Sequence, residues 1–250
     1  MSGEERRVCL LTGASGLLGS AFCRANADRY RIVAAWHTKP PPVASQTQRF
    51  IDPLTPDAPL EQNRHPVHSV RVDLTSAAQT RRLVERTLRR YGRIDLVVNA
   101  AAVRRWRELG AIADLRKDFD RHFAANVRAP LAVALEVVRQ CWTADGGRFD
   151  NPNVVNLSSA AGLRVYPGYG QGMYSATKAA LDFMTGHLAA ELAPHGIRAN
   201  ALAPNTFPGI VSVERVLDGV CRLDEGTMTG QVLMLDAGGD RWFDLTDEPR

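Results

Sequence analysis

Several patterns are missing from this chain, and each absence excludes a class of protein. The four cysteines in 250 residues include no Cys-x-x-Cys pair, which argues against a zinc site and against a disulfide framework. No apolar run approaches the ~20 residues of a membrane-spanning helix, and the polar N-terminus lacks the apolar core of a signal peptide. We therefore expect no metal, no membrane partner and a reducing, cytoplasmic setting.

Lysine is scarce: only Lys39, Lys117 and Lys178 stand among 31 basic residues. The net charge of +4 comes from arginines that are spread along the chain and do not form a basic domain with interleaved aromatic residues. Nucleic-acid binding is therefore not expected. Where arginine is so strongly preferred, a lysine four residues after a tyrosine indicates a position that requires a compact point charge.

What is present predicts a single α/β domain over residues 1–250. The fractions of hydrophobic residues (45%) and charged residues (23%) are those of an ordinary globular protein. Short apolar runs alternate with helical patterns, which predicts a doubly wound parallel sheet of seven strands with helices on both faces. The predicted strands are 8–12, 31–36, 70–73, 94–99, 154–159, 197–201 and 228–235. The predicted helices are 20–26, 77–91, 115–142, 174–193 and 213–223.

Two segments interrupt this alternation. Residues 40–69 contain seven prolines, which remove hydrogen-bond donors and oppose helix interiors. They predict a long irregular connection between the second and third strands. Residues 240–250 are interpreted as a polar tail.

A glycine-rich turn follows the first predicted strand and precedes a helix. Small residues there let the backbone approach a pyrophosphate, and the helix N-terminus supplies unpaired N–H groups. The candidate contacts are Gly13, Ser15, Gly16, Leu18 and Gly19. A glycine-rich turn without a ligand is the alternative, and the strand–turn–helix context favours nucleotide binding.

The end of the second predicted strand bears on the choice of dinucleotide. An acidic residue there would hold the ribose 2′-hydroxyl of NAD, but the chain has His37, Thr38 and Lys39. An ammonium can pair with a 2′-phosphate, so the sequence favours NADP(H) over NAD(H); a solvated loop lysine is the alternative. Asp73 and Leu74, after the third strand, are candidates for the adenine edge.

Tyr174 and Lys178 are four residues apart on a predicted helix and share one face. A nearby positive charge favours the phenolate and lowers a tyrosine pKa from about 10, so the phenol could exchange a proton near neutral pH. An exposed helix face is the commoner origin of this spacing in isolation. Asn126, in the middle of a predicted helix where Asn is disfavoured, would need polar partners if buried.

In this order and spacing, the residues resemble the short-chain dehydrogenase/reductase family in its single-domain branch. The resemblance covers nearly the whole chain and implies a Rossmann-type fold. The motifs that carry it are Thr-Gly-x-x-Gly-x-x-Gly at 12–19, Asp73, Asn-Ala at 99–100, Asn126, Ser-Ser at 158–159, Tyr-x-x-x-Lys at 174–178, Gly-Ile-Arg-Ala-Asn at 196–200, Ala-Pro at 203–204 and Thr-Gly-Gln at 229–231.

The resemblance implies hydride exchange between a nicotinamide and a carbonyl or alcohol carbon. Tyr174 would exchange the proton, Lys178 would lower its pKa and bind the nicotinamide ribose, Ser159 would hold the substrate oxygen, and Asn126 would anchor a water. Helices 115–142 and 174–193 would pair in a homodimer or homotetramer. Further cofactor contacts would come from Asn99, Ala100, Ala101, Pro204, Asn205 and Thr206.

The chain departs from the family pattern in several places. The glycine spacing is that of the branch that modifies sugar nucleotides. Ala101 and Asn205 stand where the family has glycine, and the loop from Ser159 to Tyr174 is longer than usual. Only 25 positions separate Pro204 from Thr229, where the family usually has a longer lid. A shortened lid should leave the site open, which suits a bulky or carrier-bound substrate or a site completed by a neighbouring subunit, and it would equally fit a loss of turnover.

Two other functions are kept as alternatives. The short lid would also suit a non-catalytic NADP(H)-binding sensor or scaffold, although such a protein has no use for a tuned phenol. The glycine spacing would suit a sugar-nucleotide epimerase or dehydratase. That hypothesis is disfavoured because no C-terminal substrate domain follows Gly239.

Overall fold

One sheet with helices on both faces forms the centre of the computed structural model, which describes residues 6–46, 65–144 and 149–246. The strands of the sheet are ordered β3-β2-β1-β4-β5-β6-β7-β8, and all neighbours pair in parallel except β7 and β8. The strands are β1 (Arg7–Thr12), β2 (Tyr30–Trp36), β3 (Val67–Arg71), β4 (Leu96–Asn99), β5 (Asn153–Leu157), β6 (Arg198–Pro204), β7 (Gln231–Asp236) and β8 (Gly239–Asp244).

Seven α-helices connect or flank these strands in the described part of the chain. Two π-helical turns, Ala124–Arg128 and Val138–Trp142, follow α3 and α4 and keep that stretch helical without a break. The helices are α1 (Leu17–Ala25), α2 (Ala77–Tyr91), α3 (Leu115–Phe123), α4 (Ala129–Val137), α5 (Ala160–Leu163), α6 (Gly172–Leu192) and α7 (Val213–Glu225).

Apolar side chains fill both spaces between the sheet and the helices. On one face Phe22 of α1 and Val220 of α7 pack on the strands, and on the other Leu83 of α2, Val133 of α4 and Leu188 of α6 do so. Strands buried on both faces need near-continuous apolar sequence, and every residue of β5 is buried accordingly. The predicted doubly wound parallel sheet is thus confirmed.

The strand order reverses between β1 and β4, and this positions the site. From there the chain runs outward in both directions, so the connections that follow the two strands diverge and leave a crevice at their carboxyl ends. Thr12 joins the two strand ends at the base of this crevice, because its hydroxyl accepts hydrogen bonds from the N–H groups of Ala100 (3.1 Å) and Ala101 (3.2 Å).

The sheet has eight strands where the sequence predicted seven. The predicted polar tail supplies β8, which pairs antiparallel with β7 and packs Phe243 against the sheet. A half-exposed edge strand has too few apolar residues to stand out from a polar tail in sequence. Residues 245–246 follow β8, and 247–250 lie outside the described residues.

The predicted proline-rich connection is also shorter than expected. β3 begins at Val67, inside the predicted segment 40–69, and the preceding Pro66 accepts a hydrogen bond from Ile32 through its carbonyl. Proline has no N–H group to donate to a neighbouring strand, and it is therefore tolerated at the first residue of a strand but not in its middle. Residues 47–64 lie outside the described residues.

None of the described helices combines the length and the apolar character that crossing a membrane requires.

Candidate active site and dinucleotide crevice

The glycine turn after β1 is shaped by close backbone contacts. Gly13 has φ +70°, and a Cβ there would lie 2.6 Å from the Ala101 nitrogen. A Cβ on Gly19 would lie 2.4 Å from the Gly13 carbonyl oxygen. Both positions therefore require glycine for the turn to pack between the two strand ends. Gly16 is exposed and is the N-cap of α1 without a side-chain cap, so the first N–H groups of that helix are free for an anion.

The other two predicted residues of this turn contribute differently. Ser15 is half-buried beside the exposed Gly16. Leu18 is only 7% exposed, and its side chain packs in the core under α1. Leu18 could therefore contact a dinucleotide through its backbone alone.

At the end of β2, His37, Thr38 and Lys39 are all exposed. Arg71, the last residue of β3, lies beside them: its Nε donates to the His37 carbonyl at 3.2 Å, and its guanidinium lies 5.9 Å from the centre of the Trp36 ring. Sequence reasoning missed Arg71. Only the parallel register, which pairs it with Trp36, brings this second cation to the strand end.

Asp73 and Leu74 lie just beyond β3. One Asp73 carboxylate oxygen accepts from the N–H (2.9 Å) and the hydroxyl (2.7 Å) of Thr75, and these bonds lower the pKa of Asp73. Asp73 is therefore held as an anion. Leu74 is half-buried and packs against the core.

The predicted cofactor-binding residues at the end of β4 have different positions and roles. The Asn99 amide is 2% exposed and donates to Asn156 (2.9 Å) and to the carbonyl of Pro130 (3.2 Å). Its side chain thus crosslinks the sheet interior and does not line the crevice. Ala100 and Ala101 are half-buried at the strand end against the glycine turn.

Asn126 is fully buried in the π-helical turn after α3. Its amide oxygen accepts from Val103 N–H at 2.7 Å, and its amide nitrogen donates to the Val103 carbonyl (3.0 Å) and to the Thr177 hydroxyl (3.0 Å). π-helical turns are frequent at functional sites, because the extra residue re-aims side chains and backbone groups. Asn126 thus joins the loop after β4 to α6, which supplies the polar partners that sequence reasoning required.

Tyr174 and Lys178 both face inward from the first turns of α6. The Lys178 ammonium lies 5.7 Å from the centre of the Tyr174 ring and donates to the Leu157 carbonyl at 2.5 Å. Ser159, the N-cap of α5, accepts from Ala161 N–H at 3.2 Å, and its hydroxyl acts to lower the pKa of the Tyr174 phenol. Three of the predicted catalytic side chains therefore meet at the carboxyl end of β5.

The predicted direction of the Tyr174 pKa is wrong for this structure. Burial raises the pKa of Tyr174, because desolvation outweighs the opposing contributions of Ser159 and Arg104. Burial also lowers the pKa of Lys178 to about 8. The spacing showed that the two groups share a face, but not that the helix buries that face.

Asp182, one helical turn beyond Lys178, is a residue that sequence reasoning missed. It is 2% exposed, burial raises its pKa to about 7, and neither carboxylate oxygen has a hydrogen-bond partner of normal geometry among the described residues. Its charge supports the protonated form of Lys178. The sequence pattern that could have identified Asp182 is an acidic residue four positions after Lys178, on the same helix face.

The segment after β6 does not form a lid. Asn205 donates to Asp236 at 3.0 Å and accepts from Thr206 N–H at 2.9 Å, so its side chain joins two strand ends. Pro204 is the buried last residue of β6, and Thr206 is exposed. The following helix, α7, packs under the sheet as part of the core. The helical part of residues 205–228 is therefore part of the core, and the open crevice expected from the short spacing stays a prediction.

The loop after β4 adds positive charge to the mouth of the site. Residues 104–107 are exposed, and the Arg107 N–H donates to the Gly170 carbonyl at 2.7 Å, which joins this loop to the one before α6. The charge of Arg104 acts on both Tyr174 and Lys178. Sequence reasoning counted these arginines only toward the net charge. Among the described residues, no three acidic, His or Cys side chains are grouped to bind a metal.

Comparison with known proteins agrees with this geometry. A family model described as short chain dehydrogenase matches residues 7–214. The 3-oxoacyl-[acyl-carrier-protein] reductase FabG of Thermotoga maritima is 31% identical over 80% of this chain and 74% of its own length. The human L-xylulose reductase is 35% identical over 80% of this chain and 70% of its own length.

Solved structures of low identity share the fold. A short chain dehydrogenase from Leptospira borgpetersenii with bound NAD+ superposes with a TM-score of 0.76 at 18% identity, over 97% of this chain and 94% of that one. ElxO with NADP bound gives a TM-score of 0.73 at 19% identity, over 94% and 98%. The family match spans most of the sequence, as the motif order predicted, and the chain belongs to the short-chain dehydrogenase family.

Proposed function

We propose that this protein is an NADP(H)-dependent oxidoreductase that interconverts a carbonyl and a secondary alcohol. Membership of the family supports the reaction class, a nicotinamide-dependent dehydrogenase or reductase. The observation that carries the proposal is the buried pair of Tyr174 and Lys178, with the half-buried Ser159 and the buried Asn126 nearby, at the carboxyl end of β5. A surface Tyr–Lys pair would not be buried.

The crevice fits a dinucleotide. Cβ atoms at Gly13 and Gly19 would overlap backbone, and the exposed Gly16 opens the N-terminus of α1 toward the strand ends. When bound, a nicotinamide supplies or accepts the hydride. Lys39 and Arg71 support the preference for NADP(H), because both cations stand at the end of β2 and residues 37–46, which follow that strand, include no acidic residue.

The side chains have distinct parts in the proposed chemistry. The Tyr174 phenol donates its proton to a carbonyl oxygen in reduction and recovers it from the alcohol in oxidation. The Ser159 hydroxyl hydrogen-bonds that oxygen, and the Lys178 ammonium stabilises the phenolate that proton transfer leaves behind. Since burial raises the pKa of Tyr174, the phenol is protonated at neutral pH and ready to act as an acid.

Replacing Tyr174 with phenylalanine tests this assignment. The substitution keeps the ring and removes only the hydroxyl, so kcat should fall by about 10²–10⁴, the usual contribution of a positioned acid or base. The dissociation constant for NADPH, from fluorescence titration, should stay within a factor of about two of wild type. Tyr169→Phe, at an exposed tyrosine in the neighbouring loop, is the matched control. Full activity in Tyr174→Phe would refute the proton-transfer role.

Assembly into a homodimer or homotetramer is part of the same proposal. Large apolar side chains are exposed on adjacent helices: Leu135 on α4 (50%), and Phe183 (68%) and Met184 (42%) on α6. Clustered exposed apolar surface marks interaction sites. Sedimentation equilibrium measures the assembly, and a monomer at micromolar concentration would contradict it. Because residues 205–228 do not cover the crevice in this proposal, the substrate can be either a small molecule or a carrier-bound one.

A further inference from the structure

A second cleft adjoins the active site. It has a volume of about 270 Å³ and lies between the loop after β4, α3 and the start of α6. Two lining residues connect the cleft to the proposed catalytic group. Met173 directly precedes Tyr174, and Arg105 directly follows Arg104, whose charge acts on the Tyr174 phenol. The residues that line it are Arg105, Trp106, Arg107, Ile112, Asp118, His122 and Met173.

The lining has a surplus of positive charge. Arg107 approaches Asp118 at 3.9 Å, which offsets one of the two guanidinium groups. Arg105 is exposed and has no carboxylate partner among the described residues. Guanidinium groups bind carboxylates and phosphates in a planar, bidentate geometry. The cleft therefore favours a ligand with at least one negative charge.

His122 adds an independent observation. It is 2% exposed, and its Nδ1 lies 2.8 Å from the carbonyl oxygen of Asp118. A carbonyl oxygen only accepts, so Nδ1 carries the proton and Nε2, on the opposite edge of the ring, is an acceptor in the neutral imidazole. Nε2 has no partner among the described residues. A buried acceptor without a partner costs free energy, which a hydroxyl donor from a ligand would recover.

We propose that this cleft is a substrate subsite for a hydroxylated organic anion, in which Arg105 binds a carboxylate or phosphate and His122 Nε2 accepts from a hydroxyl group. Trp106, which is 59% exposed, offers its indole face to the carbon skeleton. The inference rests on the proposed function, since it makes the substrate an anionic carbonyl compound or alcohol. It narrows the substrate class from any bulky carbonyl compound to a polyhydroxylated acid or phosphate ester.

Binding can be measured without turnover, through quenching of tryptophan fluorescence in the intact protein. Xylulose phosphate and gluconate are the anionic probes, and xylulose is the neutral match of the first. Both anions should bind at least about tenfold more tightly than xylulose, because a charge-assisted hydrogen bond is gained. Equal binding of xylulose and xylulose phosphate would overturn the proposal. Binding of only one anion would identify its source as phosphate or carboxylate.

Variants assign the effect to the cleft. Arg105→Gln, at an exposed position that folding does not depend on, should weaken both anions about tenfold and leave xylulose unchanged. Arg116→Gln, on α3 outside the cleft, is the matched control and should bind like wild type. His122→Phe should weaken all three probes, and His122→Gln, whose amide oxygen can accept, should recover part of the loss. Unchanged anion binding in Arg105→Gln would contradict the subsite.

The same measurements separate this inference from the proposed function. If the protein reduced no carbonyl compound and oxidised no alcohol with NADP(H), the titration with anions would still measure binding in the cleft. If the titration failed while a neutral carbonyl compound was reduced in a Tyr174-dependent reaction, the subsite alone would be wrong.

Discussion

The residues beneath the crevice and those around its mouth are held in opposite ways. Asn126, Thr177, Lys178 and Asp182 are at most 2% exposed, and they lie together where α6 packs against the π-helical turn and β5. Lys39, Arg104 and Arg105 are exposed cations without an ion-pair partner among the described residues. The buried group is held by contacts within the protein, whereas the rim cations are exposed to solvent.

This difference determines what a substitution does in each region. A buried polar group that loses its partner bears the full desolvation cost, about 1–3 kcal/mol. An exposed charge contributes little until a ligand desolvates it, because solvent screens its interactions. Changes beneath the crevice should therefore appear in stability and in the pH dependence, and changes at the rim in ligand affinity alone.

The largest effect should come from Asp182→Asn. Burial raises the pKa of Asp182 from 3.8 to about 7, so the folded state binds this proton more tightly than the unfolded state does. The stabilisation is complete below about pH 4 and is lost as the pH rises through about 7, a change on the order of 4 kcal/mol. Asparagine does not titrate, so the variant should lack this loss.

Urea unfolding at pH 4–8 measures the effect of Asp182→Asn. Relative to wild type, the variant's free energy of unfolding should rise steadily through this range. Asp218→Asn, at an exposed aspartate on α7, is the control and should track wild type. The variant should also move the alkaline limb of the kcat profile to lower pH, because Asp182 supports the protonated form of Lys178. Parallel stability curves for Asp182→Asn and wild type would refute the assignment.

The next largest effect should come from Asn126→Ala. It leaves the half-buried N–H and C=O groups of Val103 without their partner and removes a donor to Thr177. We expect a loss of about 3 kcal/mol, which lowers the Tm by roughly 6–12 °C in a protein of this size. Thr177→Val, which removes one bond from Asn126 and the 2.7 Å bond to the Tyr174 carbonyl, should cost less, and the double variant should show coupling between the two sites. Additive losses would mean that the two side chains act separately.

The buried region was the easier of the two to predict. Apolar runs predicted the seven parallel strands to within about three residues, because a strand buried on both faces carries mostly apolar side chains. The glycine turn was found because its position between strand and helix is local information. A mid-helix Asn126 was correctly expected to need polar partners, but their identity depended on a π-helical turn that leaves no sequence pattern.

What the sequence could not provide depends on tertiary placement. Arg71 reaches the end of β2 only through the register of β3, and Arg104 reaches Tyr174 only because its loop folds over α6. The Tyr174 pKa was predicted in the wrong direction because spacing shows which residues share a face, whereas burial depends on what packs against that face. Similarly, β8 is defined by its pairing with β7 more than by its own composition.

The smallest effect, and the one that tests the rim, should come from Lys39→Gln. If its ammonium pairs with a 2′-phosphate, the dissociation constant for NADPH should rise about tenfold, or ~1.4 kcal/mol, while that for NADH stays unchanged. Arg71→Gln should add to the effect, because its guanidinium stands at the same strand end. Lys117→Gln, at an exposed lysine on α3, is the matched control. Equal weakening of NADPH and NADH binding would mean that Lys39 stabilises the loop and does not recognise the 2′-phosphate. Lys39 would then act by maintaining the structure, as the buried residues do.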